Sequence, residues 1–420
     1  DEKREYELIV DIIDPYYTRI REQYPIVLES YEARTEEVAL PNRIKGKYDI
    51  TFRLAERGGI RSAVRSTSYA VLPSYQRQAA EDSPFGVWCF FEQHYGAGPE
   101  IAGPLLKLLG ARWTLPNFLC NTTPEENAAR VEMLGRYGVS PCFGYLCGIH
   151  NTGYEGPGDV EAKIRELRAT PWVKNYNVFW ETSAGKGTTQ MIPPEIMGKP
   201  PYELSDQETK NLKNCQDTGV AYSRRVREEF PDAKLIFGNG FPFFISCMLR
   251  QGYPAGFIDG FGLDFDLYTS MPERQPSIPY APFNGLFFLK RIQEFYGYQD
   301  IPIYLTEAVY APAAPGWLTE REQADHYIRT YLLAMAAGVK YFGMCTEVWD
   351  PGGWFGYGHY GPVGFCHRPP ELNPRESFCA YATMTAMLDR CRYERMLPMG
   401  SPSVFGIEFH KFDKEPVYAL

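Results

Sequence analysis

The stretch Asn175–Gly185, NYNVFWETSAG, decides how the chain is read. An alternating apolar segment runs into Trp180, then Glu181, then small polar residues. A buried strand that delivers a carboxylate to the rim of a pocket and ends there has this pattern. Ile301–Tyr310, IPIYLTEAVY, repeats it and puts Glu307 at the end of another strand. Two carboxylates so delivered, far apart along the chain, are expected to face each other as a catalytic pair.

Outward from these two stretches the same rhythm continues. Short apolar runs at 86–91, 111–115, 141–146, 176–180, 234–238, 257–263, 302–306 and 340–345 read as strands. Between them lie segments with apolar residues three and four apart, which predict helices over 99–109, 124–137, 159–167, 205–230, 283–296 and 319–338. Thr123-Pro124-Glu125-Glu126 is a helix start with Pro at the first position. Ser205-Asp206-Gln207-Glu208 and Thr319-Glu320-Arg321-Glu322 fit the capping box. Gly110, Gly138 and Gly338 fit helix ends. Residues 374–391 read as the last helix. Eight strands with intervening helices match a (β/α)₈ TIM barrel in count and length. The rival, a doubly wound sheet, wants a glycine-rich phosphate loop after its first strand. Gly96-Ala97-Gly98 is only a weak echo of one.

The flanks are β in character. The strings YELIVDIID (6–14) and YDITFRLAE (48–56) look like one unit used twice, a strand, a polar turn and a return strand. Residues 1–79 are therefore expected to form a β-sandwich-like accessory domain of two hairpins. Residues 80–392 form the barrel. Residues 393–420 add C-terminal β strands to an accessory sandwich.

Composition bounds the function. The 420 residues are 44% hydrophobic and 23% charged, an ordinary globular balance. No run of 18 apolar residues occurs, so no membrane span is expected. A formal net charge of −9 with no long basic stretch argues against nucleic acid and anionic membrane. None of the 10 Cys forms a C-x-x-C pair, and most lie in apolar runs, where a free Cys acts as a small hydrophobe. His359, Cys366 and His367 fit no zinc spacing, so neither metal nor cofactor is expected. The chain opens at Asp1 without a basic-then-apolar leader and stops in the strand-like EPVYAL, which suggests a processed or trimmed chain. The 30 Tyr, 26 Phe and 7 Trp supply flat ring faces that suit a sugar, although a Tyr-rich core would use them as well.

A barrel carries its active site at the C-terminal ends of its strands. The residues read at those ends are carboxylates, amides and aromatics. The catalytic candidates are Glu181 and Glu307. The substrate-binding candidates are Trp88, Glu92, Arg112, His150, Trp180, Asn239, Asp264, Tyr268, Trp349 and Trp354. A nucleophilic Ser or Cys with a base is missing from this set. Two carboxylates across a pocket break an acetal when one protonates the leaving oxygen and the other attacks the anomeric carbon. The acid needs a raised pKa, which burial against Phe179-Trp180 would give Glu181. Trp349 is placed beneath the sugar, and Trp354 in the loop PGGWFGYGHYGPVG (351–364) is a stacking wall. Bland readings stand beside these. A strand-end Glu is often a solvated cap or an Arg partner, a lone His150 is as easily structural, Arg112 can pair with an acid at the base of the pocket, and the 351–364 loop can pack on itself.

The stretches FGVWCFF, GARWTLPNF, NVFWETSAG, IDGFGLDFDLY, PIYLTEAVY and VKYFGMCTEVWD, in this order over residues 80–390, resemble the clan A glycoside hydrolases, nearest the xylosidase and iduronidase-like branch and its polysaccharide-degrading relatives. The resemblance implies a retaining (β/α)₈ enzyme with Glu181, after strand four, as acid/base and Glu307, after strand seven, as nucleophile. The family places Asn immediately before the acid/base, where this chain has Trp180. The contact that Asn makes with the sugar 2-hydroxyl is then expected from Asn177, Asn239 or His150. An oligo- or polysaccharide is the expected partner, and a secreted, periplasmic or cell-surface location follows from such a substrate. The Trp180 departure motivates an alternative, a non-catalytic carbohydrate-binding or scaffold protein on a degenerate barrel. A metal-dependent barrel enzyme using Asp264 and Asp266 is a third.

Overall fold

The computed structural model describes residues 3–420 apart from 60–61, 75–82, 90–97, 117–122, 142, 146–158, 180–198, 239–241, 269–271, 273–281, 311–317, 351–362, 402 and 412–414. Four N-terminal strands, β1 (Arg4–Ile13), β2 (Arg19–Leu28), β3 (Gly46–Glu56) and β4 (Ser62–Val71), form an antiparallel sheet in the order β2-β1-β3-β4. The two expected hairpins are there, and they meet along β1 and β3, with Val10 opposite Phe52 and Ile12 opposite Ile50. Alternation puts Val10, Ile12, Tyr48 and Ile50 on one face, and Val38 and Ile44 of the β2–β3 connection pack over them. Of the expected sandwich the structure shows this one layer, with a connecting segment over its apolar face.

The central region alternates strand and helix. Its first half runs β5 (Phe85–Cys89), α1 (Pro99–Leu109), β6 (Trp113–Pro116), α2 (Pro124–Arg136), β7 (Ser140–Pro141), β8 (Phe143–Tyr145), α3 (Val160–Arg168) and β9 (Asn175–Asn177). Its second half runs α4 (Asp206–Glu229), β10 (Lys234–Phe237), α5 (Pro242–Arg250), β11 (Gly260–Tyr268), α6 (Pro282–Tyr296), β12 (Ile303–Tyr310), α7 (Glu320–Ala336), β13 (Val339–Glu347) and α8 (Glu376–Leu388). Ser205 and Thr319 form the capping boxes read from sequence, and Thr123, read as a helix start with Pro at the first position, forms one as well. Helix α5 was not among those foreseen. PFFISCMLR is apolar nearly all round and most of it is buried, so no polar face marks its period.

All pairings in this region are parallel, and β13 pairs with β5, so the last strand meets the first. The two ends of the nine-segment sheet are β7 and β8, successive pieces of the third strand separated only by Cys142. The sheet therefore curls on itself as eight strands, the arrangement of a (β/α)₈ barrel. Phe85 packs outward on Tyr331 of α7 and Tyr381 of α8, and Phe261 on Tyr298. The alternate positions fill the interior. Tyr304 and Tyr341 stack with centroids 4.7 Å apart, and Trp113 meets Tyr341 edge-on. A Cβ at Gly86 would lie 2.3 Å from the Trp113 ring, and one at Gly260 2.4 Å from Tyr304, so the glycines make room for the rings.

Gly262 is tighter still, because its hypothetical Cβ falls 2.2 Å from the backbone oxygen of Gly238. Backbone cannot swing aside as a side chain can. Gly262→Ala is expected to force β10 and β11 apart and to cost about 1–3 kcal/mol or more, measured by denaturant unfolding.

After α8 the chain forms a three-stranded antiparallel sheet, β14 (Arg392–Leu397), β15 (Gly406–His410) and β16 (Pro416–Ala419). Its Ile407, Phe409 and Val417 belong to the main core cluster, so these strands are packed into the same hydrophobic body as the barrel.

Candidate functional site

Strands β11 and β12 run on past the end of β10. Phe237, the last residue of β10, is in register with Phe261, yet β11 continues to Tyr268 and β12 follows it to Tyr310. This taller wall carries Asp264, Tyr268 and Glu307, with Glu347 at the end of β13.

The place of Glu307 is set by a bulge. Leu263 is opposite Leu305, but Asp264 is opposite Glu307, so Thr306 is an extra residue on β12. Side chains alternate along a strand, and one extra residue inverts the phase beyond it. Without the bulge, position 307 would follow Ile303 and Leu305, which are buried in the core. With it, Glu307 joins the register phase of Asp264, Gly262 and Gly260. Strand β13 also shifts its register: Met344 is opposite Val87 and Glu347 opposite Trp88, so two residues are extra there and the phase that Gly343 shares with Gly86 is kept. Trp88 is buried, at 5% exposure, with Leu115 on its other side in register.

Thr306 holds the bulge. It is 5% exposed, and its Oγ1 donates to the Leu263 carbonyl at 2.7 Å, the strand position where the register changes. Thr306→Val keeps the shape and removes the donor. It is expected to lower stability by about 1 kcal/mol in denaturant unfolding.

On the fourth strand the description reaches Phe179, two residues short of Glu181. Strand β9 is only three residues long, but the Val178 amide still donates to Ile236 O at 2.9 Å. Phe179 is clamped edge-on between Phe244 and Phe237, at 5.0 and 5.5 Å. Asn177, read as a possible sugar contact, is 1% exposed, and its Oδ1 has no hydrogen-bond partner among the described residues. Glu181, Trp180, Glu92, His150, Asn239 and Trp354 lie outside the described residues.

Two sequence-based placements are corrected. Arg112 precedes β6, and its amide donates to Phe85 O at the start of β5. That is the rim opposite the C-terminal strand ends. Its guanidinium is buried and pairs with Asp389 at 3.1 Å. It ties the barrel floor together and does not line the mouth. Trp349 is 2% exposed and a member of the main core cluster, and it bridges to Cys366. Its ring is core packing, with no open face for a sugar.

Sequence reading passed over one cluster. Asp350, just after β13, accepts from the Gly364 amide at 3.0 Å and from Arg375 Nη2 at 2.5 Å. Arg375 also reaches Glu320 at 2.6 Å. Burial alone would raise the Glu320 carboxyl. The bond to His367 and the charges of Arg375 and Lys47 overcome this and hold it at about 2. Sequence could not join these residues, because they lie on separate elements. Among the described residues there is no group of three or more His, Cys, Asp or Glu that could hold a metal ion, and no helix long and apolar enough to cross a membrane.

No family model matches this chain, and no curated protein matches it by sequence. Solved structures do resemble it. A calcium-binding mutant of Bacteroides uniformis β-glucuronidase 2 aligns with a TM-score of 0.50 and 13% identity, over 97% of this chain and 50% of its own. A family 39 glycoside hydrolase from the gut symbiont Bacteroides cellulosilyticus WH2 aligns with a TM-score of 0.65 and 17% identity, over 100% of this chain and 84% of its own. At such identities likeness shows fold alone, and along its whole length this chain is folded like the family 39 glycoside hydrolase.

Proposed function

We propose that the protein is a retaining glycoside hydrolase that cleaves an oligo- or polysaccharide by double displacement. The observation that carries this reading is the bulge at Thr306, which brings Glu307 into register with Asp264 at the tall side of a (β/α)₈ barrel. Bulges beside active sites serve to re-aim a side chain. Glu307 is the nucleophile and forms the glycosyl–enzyme ester. Glu181, following the buried Phe179, is the acid that protonates the leaving oxygen and then the base that activates water. Asp264 lies opposite the nucleophile in register, and the buried Oδ1 of Asn177, without a hydrogen-bond partner among the described residues, is the candidate to replace the sugar contact that Trp180 displaces. Tyr268 and Trp354 are the proposed stacking residues.

The fold shared with a family 39 enzyme supports the reaction class and leaves sugar and linkage to experiment. The test is a screen with aryl glycosides and a panel of plant, algal and host glycans. Retention requires the Glu181 and Glu307 carboxyls about 5–5.5 Å apart in a crystal structure, whereas about 6.5–9.5 Å means inversion. Glycan binding by the folded protein with no product from any substrate would point instead to a carbohydrate-binding protein on a degenerate barrel.

A further inference from the structure

Side chains of the N-terminal sheet reach the barrel beside the exit of the eighth strand. Lys47 of β3 donates to Glu320, the first residue of α7, at 3.0 Å, and pairs with Asp49 on its own strand at 3.0 Å. Glu320 accepts from Arg375 at 2.6 Å, and Arg375 donates to Asp350 at 2.5 Å. Asp350 in turn holds the Gly364 amide. Four side chains thus run without a break from the sheet to the residue three places after Glu347. They are sheltered, with side-chain exposures of 13% for Lys47, 24% for Glu320, 6% for Arg375 and 7% for Asp350. A second tie runs beside the first. Thr67 Oγ1 of β4 donates to Asn373 Oδ1 at 2.8 Å, and Ser68 Oγ to Pro374 O at 3.2 Å.

Both ties end on the limb that returns from the strand-eight loop to α8. The base of that loop is closed by backbone. Asp350 N donates to Cys366 O and Cys366 N to Val348 O, both at 3.0 Å, and Arg375 N donates to Phe365 O at 2.9 Å. The fit leaves no slack, because a Cβ on Gly364 would lie 2.2 Å from Asp350 N. A base closed this tightly transmits a displacement of Arg375 or Asp350 to the chain next to Glu347.

We infer that Lys47 is a positioning residue for the proposed active site, acting through Glu320, Arg375 and Asp350, so that the N-terminal sheet is a working part of the barrel mouth. This rests on the glycosidase reading for its consequence in catalysis but not for the coupling itself, and the experiment separates the two. Amide hydrogen exchange is measured on the full chain and on Lys47→Met. The amides of Asp350, Gly364 and Cys366 are expected to exchange about threefold faster or more, those of α2 and α3 to stay unchanged, and Lys47→Arg to restore protection. Loosening confined to the N-terminal sheet overturns the inference. On any glycan the wild type cleaves, Lys47→Met and Asp350→Asn are each expected to lower kcat/KM, and the double variant to lose about as much as the worse single. Losses that multiply as independent effects also overturn it. A protein that cleaves no glycan but shows the exchange coupling refutes the proposed function and leaves the coupling standing.

Discussion

Glu307→Gln is expected to lower turnover by about 10⁴-fold or more on every glycan the wild type cleaves, with its unfolding transition unchanged. Gln matches Glu in shape and hydrogen-bonds through the same positions, but its amide is no nucleophile, so no glycosyl ester forms. The loss must therefore be the same for poor and good leaving groups. Glu181→Gln should behave differently. It removes a proton donor, worth about 10²–10⁴-fold, and an aryl glycoside whose leaving group needs no proton should recover most of its first step. That contrast assigns the two roles independently of any structure. Equal, leaving-group-dependent losses in both variants would exchange or dissolve the assignments. Full activity in Glu307→Gln would remove the nucleophile and with it the double displacement.

What was legible in the sequence and what was not is a matter of which interactions are local. The helix start at Thr123 and the capping boxes at Ser205 and Thr319 are decided within four residues and form as read. Helix ends and strand order follow from hydrophobic period. The bulge at Thr306 depends on a neighbour more than forty residues earlier, the Leu263 carbonyl, and nothing in TEAVY marks which residue is extra. Read straight through, the alternation of IYLTE puts position 307 in the phase of Ile303 and Leu305, and only the pairing with β11 shows the shifted register. The same holds for Lys47 and Glu320, which look like ordinary surface charges until the sheet is laid on the barrel.

Arg112 was misplaced because it was grouped with the strand-end residues although it opens the run 111–115, on the side away from the mouth. The structure starts β6 at Trp113, because Gly110 in the left-handed region at φ 76 stops α1 and Arg112 then bonds across to Phe85. Its partner Asp389 caps the end of α8, where the last helix meets the first strand–helix unit. Two neutral bonds hold the same seam, Thr385 Oγ1 to Leu109 O at 2.7 Å and Tyr381 OH to Gly86 O at 3.1 Å. With side-chain exposures of 2% and 6%, the ion pair is shut away from water. Such a pair adds little over a well-packed apolar one, but removing a single partner strands a buried charge. Arg112→Met is therefore expected to destabilise the protein by about 3–5 kcal/mol in denaturant unfolding. Asp389→Asn should cost less, because Asn still accepts a hydrogen bond. The double variant Arg112→Met with Asp389→Leu should recover much of the loss, because no charge is then left unpaired. A double variant as unstable as the sum of its parts would mean that the two groups do not act as a pair. A stable Arg112→Met that had lost glycan affinity would return Arg112 to the substrate.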